Sequence, residues 1–156
     1  MKVHQLTFHC PLNYGAALQT YALGRVLQNL GHEVSLVDLR PVGLAPERTL
    51  HPLGLLHRWK FHRFVRQFCA PLIATSRWPG QAAKVAAGAD AWVVGSDQVW
   101  NPEITGPYAG DYFLAELAPG CRRVAYAASF GRETLNWPDE LVRKVRYWLS
   151  VFDGLS

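Results

Sequence analysis

The sequence predicts an α/β protein whose sheet is mostly parallel and flanked by helices. Two observations predict it: strand-like and helix-like segments alternate along the chain, and residues 90–94 form a run apolar enough to be a strand buried on both faces. With 156 residues, 49% of them hydrophobic and 18% charged, the chain is long and apolar enough to enclose one core. We therefore expect a single domain spanning residues 1–156.

The first forty residues predict a βαβ unit. Residues 2–10 form a β-prone run ended by Pro11, a turn follows at Asn13-Tyr14-Gly15, residues 16–30 show helical periodicity closed by Gly31, and residues 32–39 form a second strand. Two strands joined by a helix in so short a stretch predict a right-handed crossover and a Rossmann-like fold. The first turn lacks the G-x-G-x-x-G fingerprint, so no dinucleotide cofactor is indicated.

An amphipathic helix is predicted at residues 55–68, after a loop at residues 43–52. Apolar positions in this helix are interleaved with arginines and a lysine. The favoured interpretation is a helix that packs on the sheet and exposes a solvated basic face. The alternative is a patch that touches anionic lipid or a lipid-linked substrate.

The rest of the chain continues the alternation of helices and strands. We predict a short helix at residues 81–87, the central strand at 90–94, a Pro- and Gly-rich connection at 102–110, a strand at 122–128 and a helix at 138–152. Residues 153–156 begin what would be a further strand. The sheet is therefore expected to be incomplete at its C-terminal end.

Composition narrows the class of partner and the kinds of site. A net charge of +4 suits an anionic ligand or membrane surface, while no nucleic-acid-binding motif is present. Three cysteines without a C-x-x-C pair argue against a disulfide framework, and the histidines lack ligand spacing, so we predict no metal. Without a signal-like or membrane-spanning stretch, we expect a cytoplasmic protein, with the inner face of the membrane as the alternative location.

Polar clusters follow three of the predicted strands. They are Asn13-Tyr14-Gly15, Ser96-Asp97-Gln98 and Ser129-Phe130-Gly131. Because the carboxyl ends of parallel strands meet at one edge of a sheet, and ligands bind at that edge, we expect these clusters to form one site.

Three segments carry a resemblance to a known family. Residues 13–23 are Asn-Tyr-Gly-Ala-Ala-Leu-Gln-Thr-Tyr-Ala-Leu, residues 95–101 are Gly-Ser-Asp-Gln-Val-Trp-Asn, and residues 126–131 are Tyr-Ala-Ala-Ser-Phe-Gly. In this order and at this spacing they resemble the polysaccharide pyruvyl transferase family, and the resemblance covers nearly the whole chain.

The resemblance implies transfer of pyruvyl from phosphoenolpyruvate, without a cofactor, to two hydroxyls of a sugar. The acceptor would be a cell-surface polysaccharide or its precursor, such as a lipid-linked oligosaccharide. The implied fold is a glycosyltransferase-B-like pair of Rossmann-like halves, of which this chain resembles the N-terminal half. We therefore expect a fragment that is inactive alone; the alternative is a non-catalytic module that binds a sugar or nucleotide-sugar.

The implied chemistry gives candidate roles to the middle cluster. Asp97 is the candidate base, or the residue that orients the sugar hydroxyl, with a turn-closing cap as the alternative. Ser96 and Gln98, which follow Gly95, would bond sugar hydroxyls or loop backbone. Trp100 would stack on a sugar ring or pack beneath the following loop.

The flanking clusters give the remaining candidates for substrate binding. Asn13 would present its amide to the ligand or cap the helix, and capping is favoured. Gly15, beside Tyr14, would allow close approach of the ligand or a positive φ. Gln19 would point into the pocket or face solvent. Beyond the third cluster, Ser129-Phe130-Gly131, Arg132 would contact an anion or remain solvated.

Overall fold

A parallel sheet forms the centre of the protein. The computed structural model describes residues 1–9, 12–40, 52–74, 78–85 and 88–156. Its strands are β1 (Lys2–Leu6), β2 (Glu33–Asp38), β3 (Leu72–Ala74), β4 (Ala91–Asp97), β5 (Arg122–Ala128) and β6 (Gly154–Leu155). They lie in the order β3-β2-β1-β4-β5-β6, and every neighbouring pair is parallel. The α/β class and the parallel sheet are thus confirmed.

Helices cover both faces of this sheet. They are α1 (Tyr14–Asn29), α2 (Pro52–Phe68), α3 (Ala82–Val85), α4 (Pro102–Thr105), α5 (Ala109–Tyr112) and α6 (Asp139–Ser150), with a 3₁₀ turn at Gly106–Tyr108. The first two pack on one face, and the other four contribute to a core on the opposite face. Among the helices described, none is long and apolar enough to cross a membrane.

Local sequence explains where α1 begins and ends. The side-chain oxygen of Asn13 accepts a hydrogen bond from the backbone N–H of Ala16 at 3.2 Å, so Asn13 caps the helix. At the other end Gly31 has a φ of +84°, and the N–H groups of Gly31 and His32 bond the carbonyls of Gln28 and Leu27. This is a Schellman motif, which confirms Gly31 as the residue that ends the helix.

Strand β4 is buried on both faces, as its composition predicts. Ala91, Trp92, Val93 and Val94 each have at most 6% of their surface exposed. Val93 packs on the face that α1 covers, while Trp92 and Val94 belong to the larger core on the other face. β4 therefore supports the loops that follow it from a rigid base.

The structure corrects several element boundaries. β4 continues to Asp97 instead of breaking at Gly95, and β1 ends at Leu6 rather than at residue 10. The predicted connection at residues 102–110 is helical, because Asn101 caps a turn that Pro102 begins. β3 is an additional strand that was not predicted, and β6 is the strand that residues 153–156 begin.

Some predictions fall partly outside the described residues. Cys10 and Pro11 lie there, as does most of the predicted loop 43–52, whose last residue begins α2. The predicted short helix at residues 81–87 corresponds to α3, and its last two residues also lie outside.

Candidate functional site

The candidate site lies where the direction of the chain through the sheet reverses. From β1 the chain moves outward to β2 and β3, and from β4 it moves the opposite way to β5 and β6. In open α/β sheets a ligand crevice forms at such a switch point, beside the carboxyl ends of the two central strands. Here those strands are β1 and β4, which are hydrogen-bonded neighbours.

Gly95 lets β4 approach β5 closely just before the polar residues. Its φ is +101°, which L side chains rarely adopt, and an added Cβ would overlap the carbonyl oxygen of Tyr126. The same Cβ would lie 3.1 Å from the backbone nitrogen of Ala128. The backbone geometry therefore requires glycine at position 95. The strand that passes through Gly95 places Ser96 and Asp97 half-buried at the edge of the sheet.

Asp97, Gln19 and Ser96 form a hydrogen-bonded cluster across the switch point. The Nε2 of Gln19 donates to Oδ2 of Asp97 at 2.7 Å, and Oγ of Ser96 donates to Oε1 of Gln19 at 3.1 Å. The backbone N–H of Gln98 donates to Oδ1 of Asp97 at 2.7 Å. Each carboxylate oxygen thus has one donor and keeps further acceptor capacity, so Asp97 is held in place and can accept a further hydrogen bond, such as one from a hydroxyl group.

The backbone joins the second and third clusters. The N–H of Ser129 donates to the carbonyl of Asp97 at 3.0 Å, and the N–H of Trp100 donates to the carbonyl of Ser129 at 3.2 Å. Gly131 has a φ of +68°, and an added Cβ would overlap the side chain of Gln98. Both Ser129 and Gln98 are exposed at this edge. The structure therefore brings together residues 96–98 and 129–131, as expected of neighbouring parallel strands.

The first polar cluster contributes to the candidate site mainly through helix α1, which it begins, and less through its own turn residues. Tyr14 and Gly15 are the first residues of α1, and Gly15 is absent from the positive-φ glycines, so the expectation of a positive φ is wrong. An added Cβ on Gly15 would lie 3.1 Å from Oδ1 of Asn13. The structural role of Gly15 is therefore to allow the close approach of the capping side chain. Tyr14 is 60% exposed. Asn13 serves as the cap, and Gln19 faces the cluster rather than solvent.

Trp100 belongs to the core. It is 7% exposed, its indole N–H donates to the carbonyl of Tyr112 at 3.1 Å, and its ring stacks on Phe113 with centroids 5.4 Å apart. Phe130 packs against it with centroids 5.6 Å apart. Because so little of the ring is accessible, the interpretation that Trp100 stacks on a sugar is wrong, and its ring packs in the core instead. Phe130 is likewise a core contact.

Arg132 lies on the surface, paired with an acid. Its guanidinium donates to the carboxylate of Glu103, and both side chains are about half exposed or more. An exposed pair of this kind contributes little to stability, because solvent screens it. The guanidinium can exchange this partner for a ligand anion at small cost.

Thr7 and His9, beyond the end of β1, are functional candidates that the sequence analysis missed. Thr7 Oγ1 donates to the carbonyl of Ser96 at 3.0 Å, which ties β1 to the site. His9 is 2% exposed, and its ring nitrogens lie 3.2 Å from the carbonyl of Thr7 and 2.9 Å from Oδ1 of Asp38. Their position at the end of a central strand, with alternating polar side chains, was the available signal.

Asp38 and Arg40 complete a charged group at the end of β2. Arg40 bonds both oxygens of Asp38, Nε to Oδ1 at 2.6 Å and Nη2 to Oδ2 at 2.9 Å. Although burial acts in the opposite direction, the hydrogen bonds from His9 and Arg40 hold the pKa of Asp38 well below its usual value. Asp38 is therefore ionised at neutral pH and is a structural anion.

An apolar groove of about 400 Å³ adjoins the cluster. Gln19 and Ser96 line this groove together with Val26 and Leu30 of α1 and Tyr126 of β5. Val26, Leu30 and Tyr126 are more than half exposed. The polar cluster thus borders an accessible apolar surface.

The described cysteines are not activated nucleophiles. Burial raises the pKa of Cys69 to about 11 and also raises the pKa of Cys121. A thiol with a raised pKa is almost entirely protonated at neutral pH, so it is a weak nucleophile.

One family model matches nearly the whole chain. The model described as polysaccharide pyruvyl transferase matches residues 13–155, which include all three polar clusters. No curated protein and no solved structure matches the chain.

Proposed function

Because the chain belongs to the polysaccharide pyruvyl transferase family, we propose that it takes part in moving a pyruvyl group from phosphoenolpyruvate to a sugar of a cell-surface polysaccharide or its precursor. The observation that carries this proposal is the cluster in which Gln19 and the backbone of residue 98 each bond one oxygen of Asp97. It joins the first and second motifs at the switch point of the sheet, where a ligand is expected.

The reaction sets what the site has to supply. Two sugar hydroxyls add to C2 of phosphoenolpyruvate, the bond from C2 to the phosphate oxygen breaks, and the methylene carbon takes up a proton to become a methyl group. Of the two protons lost by the hydroxyls, one balances this methyl group and the other leaves with the phosphate. A base must take a proton from the attacking hydroxyl, and an acid must protonate the methylene.

Asp97 is the proposed base. A carboxylate held by fixed donors loses little orientational freedom when the acceptor hydroxyl arrives, which favours proton transfer. Gln19 would act as a positioning residue, since its own amide oxygen is held by Ser96. The exposed side chains of Gln98 and Ser129 are proposed to bond further sugar hydroxyls.

The donor would be held opposite this edge. We propose that Asp97 forms one wall of a cleft, and that the phosphate and carboxylate of phosphoenolpyruvate are bound by cationic groups of a second Rossmann-like half. A glycosyltransferase-B-like pair of halves would supply that second wall. Arg132 is the proposed anion contact on this side, because its carboxylate partner is exposed and exchangeable.

The test follows both products of the reaction. The protein expressed from its complete open reading frame is mixed with phosphoenolpyruvate and polysaccharide precursors, and released phosphate and the ketal methyl signal in proton NMR are measured together. Equal amounts of phosphate and ketal support the proposal. Phosphate release without ketal, or no release with any acceptor, contradicts it.

A binding module without turnover is the second candidate. One observation favours it: both oxygens of Asp97 already accept hydrogen bonds, an arrangement that also suits a carboxylate which only orients a hydroxyl. Saturable sugar binding that Asp97→Ala abolishes, together with no phosphate release, would assign this function instead.

A further inference from the structure

A second pocket opens on the same edge of the sheet, on the other side of β1. It has a volume of about 360 Å³ and lies between the ends of β1 and β2 and the helix α2. His9, Asp38 and Arg40 line it from the sheet, and Trp59, His62 and Arg66 line it from α2. We call these six residues the basic pocket. Since Trp59, His62 and Arg66 are spaced i, i+3 and i+7, they form one stripe of the helix.

The charge of the basic pocket is positive. Helix α2 carries Arg58, Lys60, Arg63 and Arg66 and contains no acidic residue. The single carboxylate in the pocket, Asp38, is already bonded by Arg40 and His9.

His62 reports this positive field. Burial, and then the charges of Arg40, Arg58 and Arg66, lower its pKa, while Asp38 acts in the opposite direction with the smallest effect. At His62, the charges of these three arginines therefore outweigh the charge of Asp38.

Trp59 adds a flat apolar surface at the rim of the pocket. It is 57% exposed, although the large side chain of a tryptophan is usually well buried. The guanidinium of Arg63 lies 5.3 Å from the centroid of its ring, within the range of a cation–π contact. An exposed aromatic ring beside several cations suits a ligand that combines a phosphate with an apolar or ring-bearing portion.

Residues 7–9 lie between the basic pocket and the candidate site and form hydrogen bonds to both. The carbonyl of Thr7 is bonded by His9, which reaches Asp38 in the pocket, while Oγ1 of Thr7 bonds the carbonyl of Ser96. The short segment after β1 therefore separates the two and forms a wall of each. One extended ligand lying along this edge of the sheet could occupy both.

We propose that the basic pocket binds the phosphate or diphosphate ester of the carrier to which the acceptor sugar is attached. Arg66 and Arg40 hold the phosphate oxygens, Trp59 contacts the adjoining portion of the carrier, and the sugar extends past Thr7 to Asp97. The identity of the sugar-bearing ligand rests on the proposed function, whereas the affinity for a diphosphate does not. The carrier is either a nucleotide or a polyprenyl lipid, which share this chemistry.

Binding of inorganic pyrophosphate, measured by calorimetry, tests the pocket itself. Replacing Arg66 by Gln is expected to weaken binding at least about tenfold, since it removes charge-assisted hydrogen bonds. The matched control is Lys60→Gln, which removes one charge from an exposed position of the same helix outside the stripe. Its affinity is expected to stay within about twofold of the wild type. Equal losses in both variants, or no binding by the wild type, would overturn the proposal.

Two further arms identify the carrier. Stronger binding of uridine diphosphate than of pyrophosphate, lost in Trp59→Ala, supports a nucleotide. Arg66-dependent binding to neutral vesicles doped with undecaprenyl diphosphate supports a lipid. Binding to phosphatidylglycerol vesicles is measured for both variants. If Lys60→Gln and Arg66→Gln weaken this binding equally, the helix is a membrane-binding surface and the proposal is overturned. Displacement of pyrophosphate by phosphoenolpyruvate at equal concentration indicates a donor site and overturns it as well.

The pocket and the proposed function can fail separately. If Arg66-dependent pyrophosphate binding is found while no ketal forms, the pocket stands and the transferase activity does not. If ketal forms and Arg66→Gln leaves the KM for the acceptor unchanged, the activity stands and the pocket does not.

Discussion

The side-chain amide of Gln19 donates a 2.7 Å hydrogen bond to the carboxylate of Asp97, a residue 78 positions later in the chain. Gln19 lies one turn and a half into α1, and Asp97 is the last residue of β4. The bond therefore fixes the helix that follows the first strand against the end of the strand beside it.

Replacing Gln19 by Leu is expected to lower the free energy of unfolding by about 1 kcal/mol, because a hydrogen bond to a half-buried carboxylate is lost. Transfer should fall through kcat, since the orientation of Asp97 loosens. The matched control is Gln28→Leu on the same helix, which removes only an exposed bond from Arg25. Chemical denaturation and steady-state kinetics measure both effects. A Gln19→Leu protein with wild-type kcat would contradict the positioning role.

Gly95→Ala is expected to lower the free energy of unfolding by at least about 2 kcal/mol, because a positive φ and an overlap with the carbonyl of Tyr126 act together. Gly110→Ala is the control: Gly110 is helical, and its nearest neighbour would lie 3.9 Å from the new methyl group. That change should be neutral or slightly stabilising. Urea denaturation of both variants decides the matter. Equal stability of the two would show that the close approach of β4 to β5 is not required.

Trp100→Phe is expected to lower the free energy of unfolding by about 1–3 kcal/mol, because the bond to the carbonyl of Tyr112 and part of the packing are lost. Sugar affinity of the folded variant should remain that of the wild type, since the ring belongs to the core. Thermal unfolding and sugar titration measure the two quantities. Loss of sugar affinity at unchanged stability would restore the stacking role.

Asp38→Asn should destabilise the protein by about 1–3 kcal/mol at neutral pH, because it weakens the bonds with His9 and Arg40. The pKa of Asp38 is lowered on folding, so its carboxylate stabilises the fold fully above the unfolded value of 3.8 and loses this effect as pH falls through the folded value. The difference between wild type and variant is therefore constant above about pH 5 and shrinks below 3.8.

Denaturation of both proteins at a series of pH values checks this dependence. A difference that grows as the pH falls from 7 to 5 would contradict it, because it would place the titration at another group.

Patterns that repeat over many residues were predictable from the sequence. The helical period of residues 16–30 reflects burial of one helix face against the sheet, and the apolar run of β4 reflects burial on both faces. The sequence therefore predicts both α1 and β4. The coming together of residues 96–98 and 129–131 follows from parallel pairing alone.

What escaped prediction depends on single contacts or on short segments. β3 has three residues, too few for a period to appear. Trp100 could stack on a sugar or pack in the core, and only the position of Phe113 beside it decides between them. The basic pocket combines the end of β2 with one stripe of α2, and no local pattern relates Arg40 to Arg66.

Asp97→Asn tests the central claim most directly. The initial rate of ketal formation from phosphoenolpyruvate and a polysaccharide precursor is compared among the wild type, Asp97→Asn and Glu33→Gln, all expressed from the complete open reading frame. Glu33 is an exposed carboxylate at the opposite end of the sheet, so its variant should keep the wild-type rate. Loss of a general base should slow Asp97→Asn by at least about a hundredfold while its fold is retained. A folded Asp97→Asn protein within about twofold of the wild-type rate would contradict the assignment of Asp97 as the base.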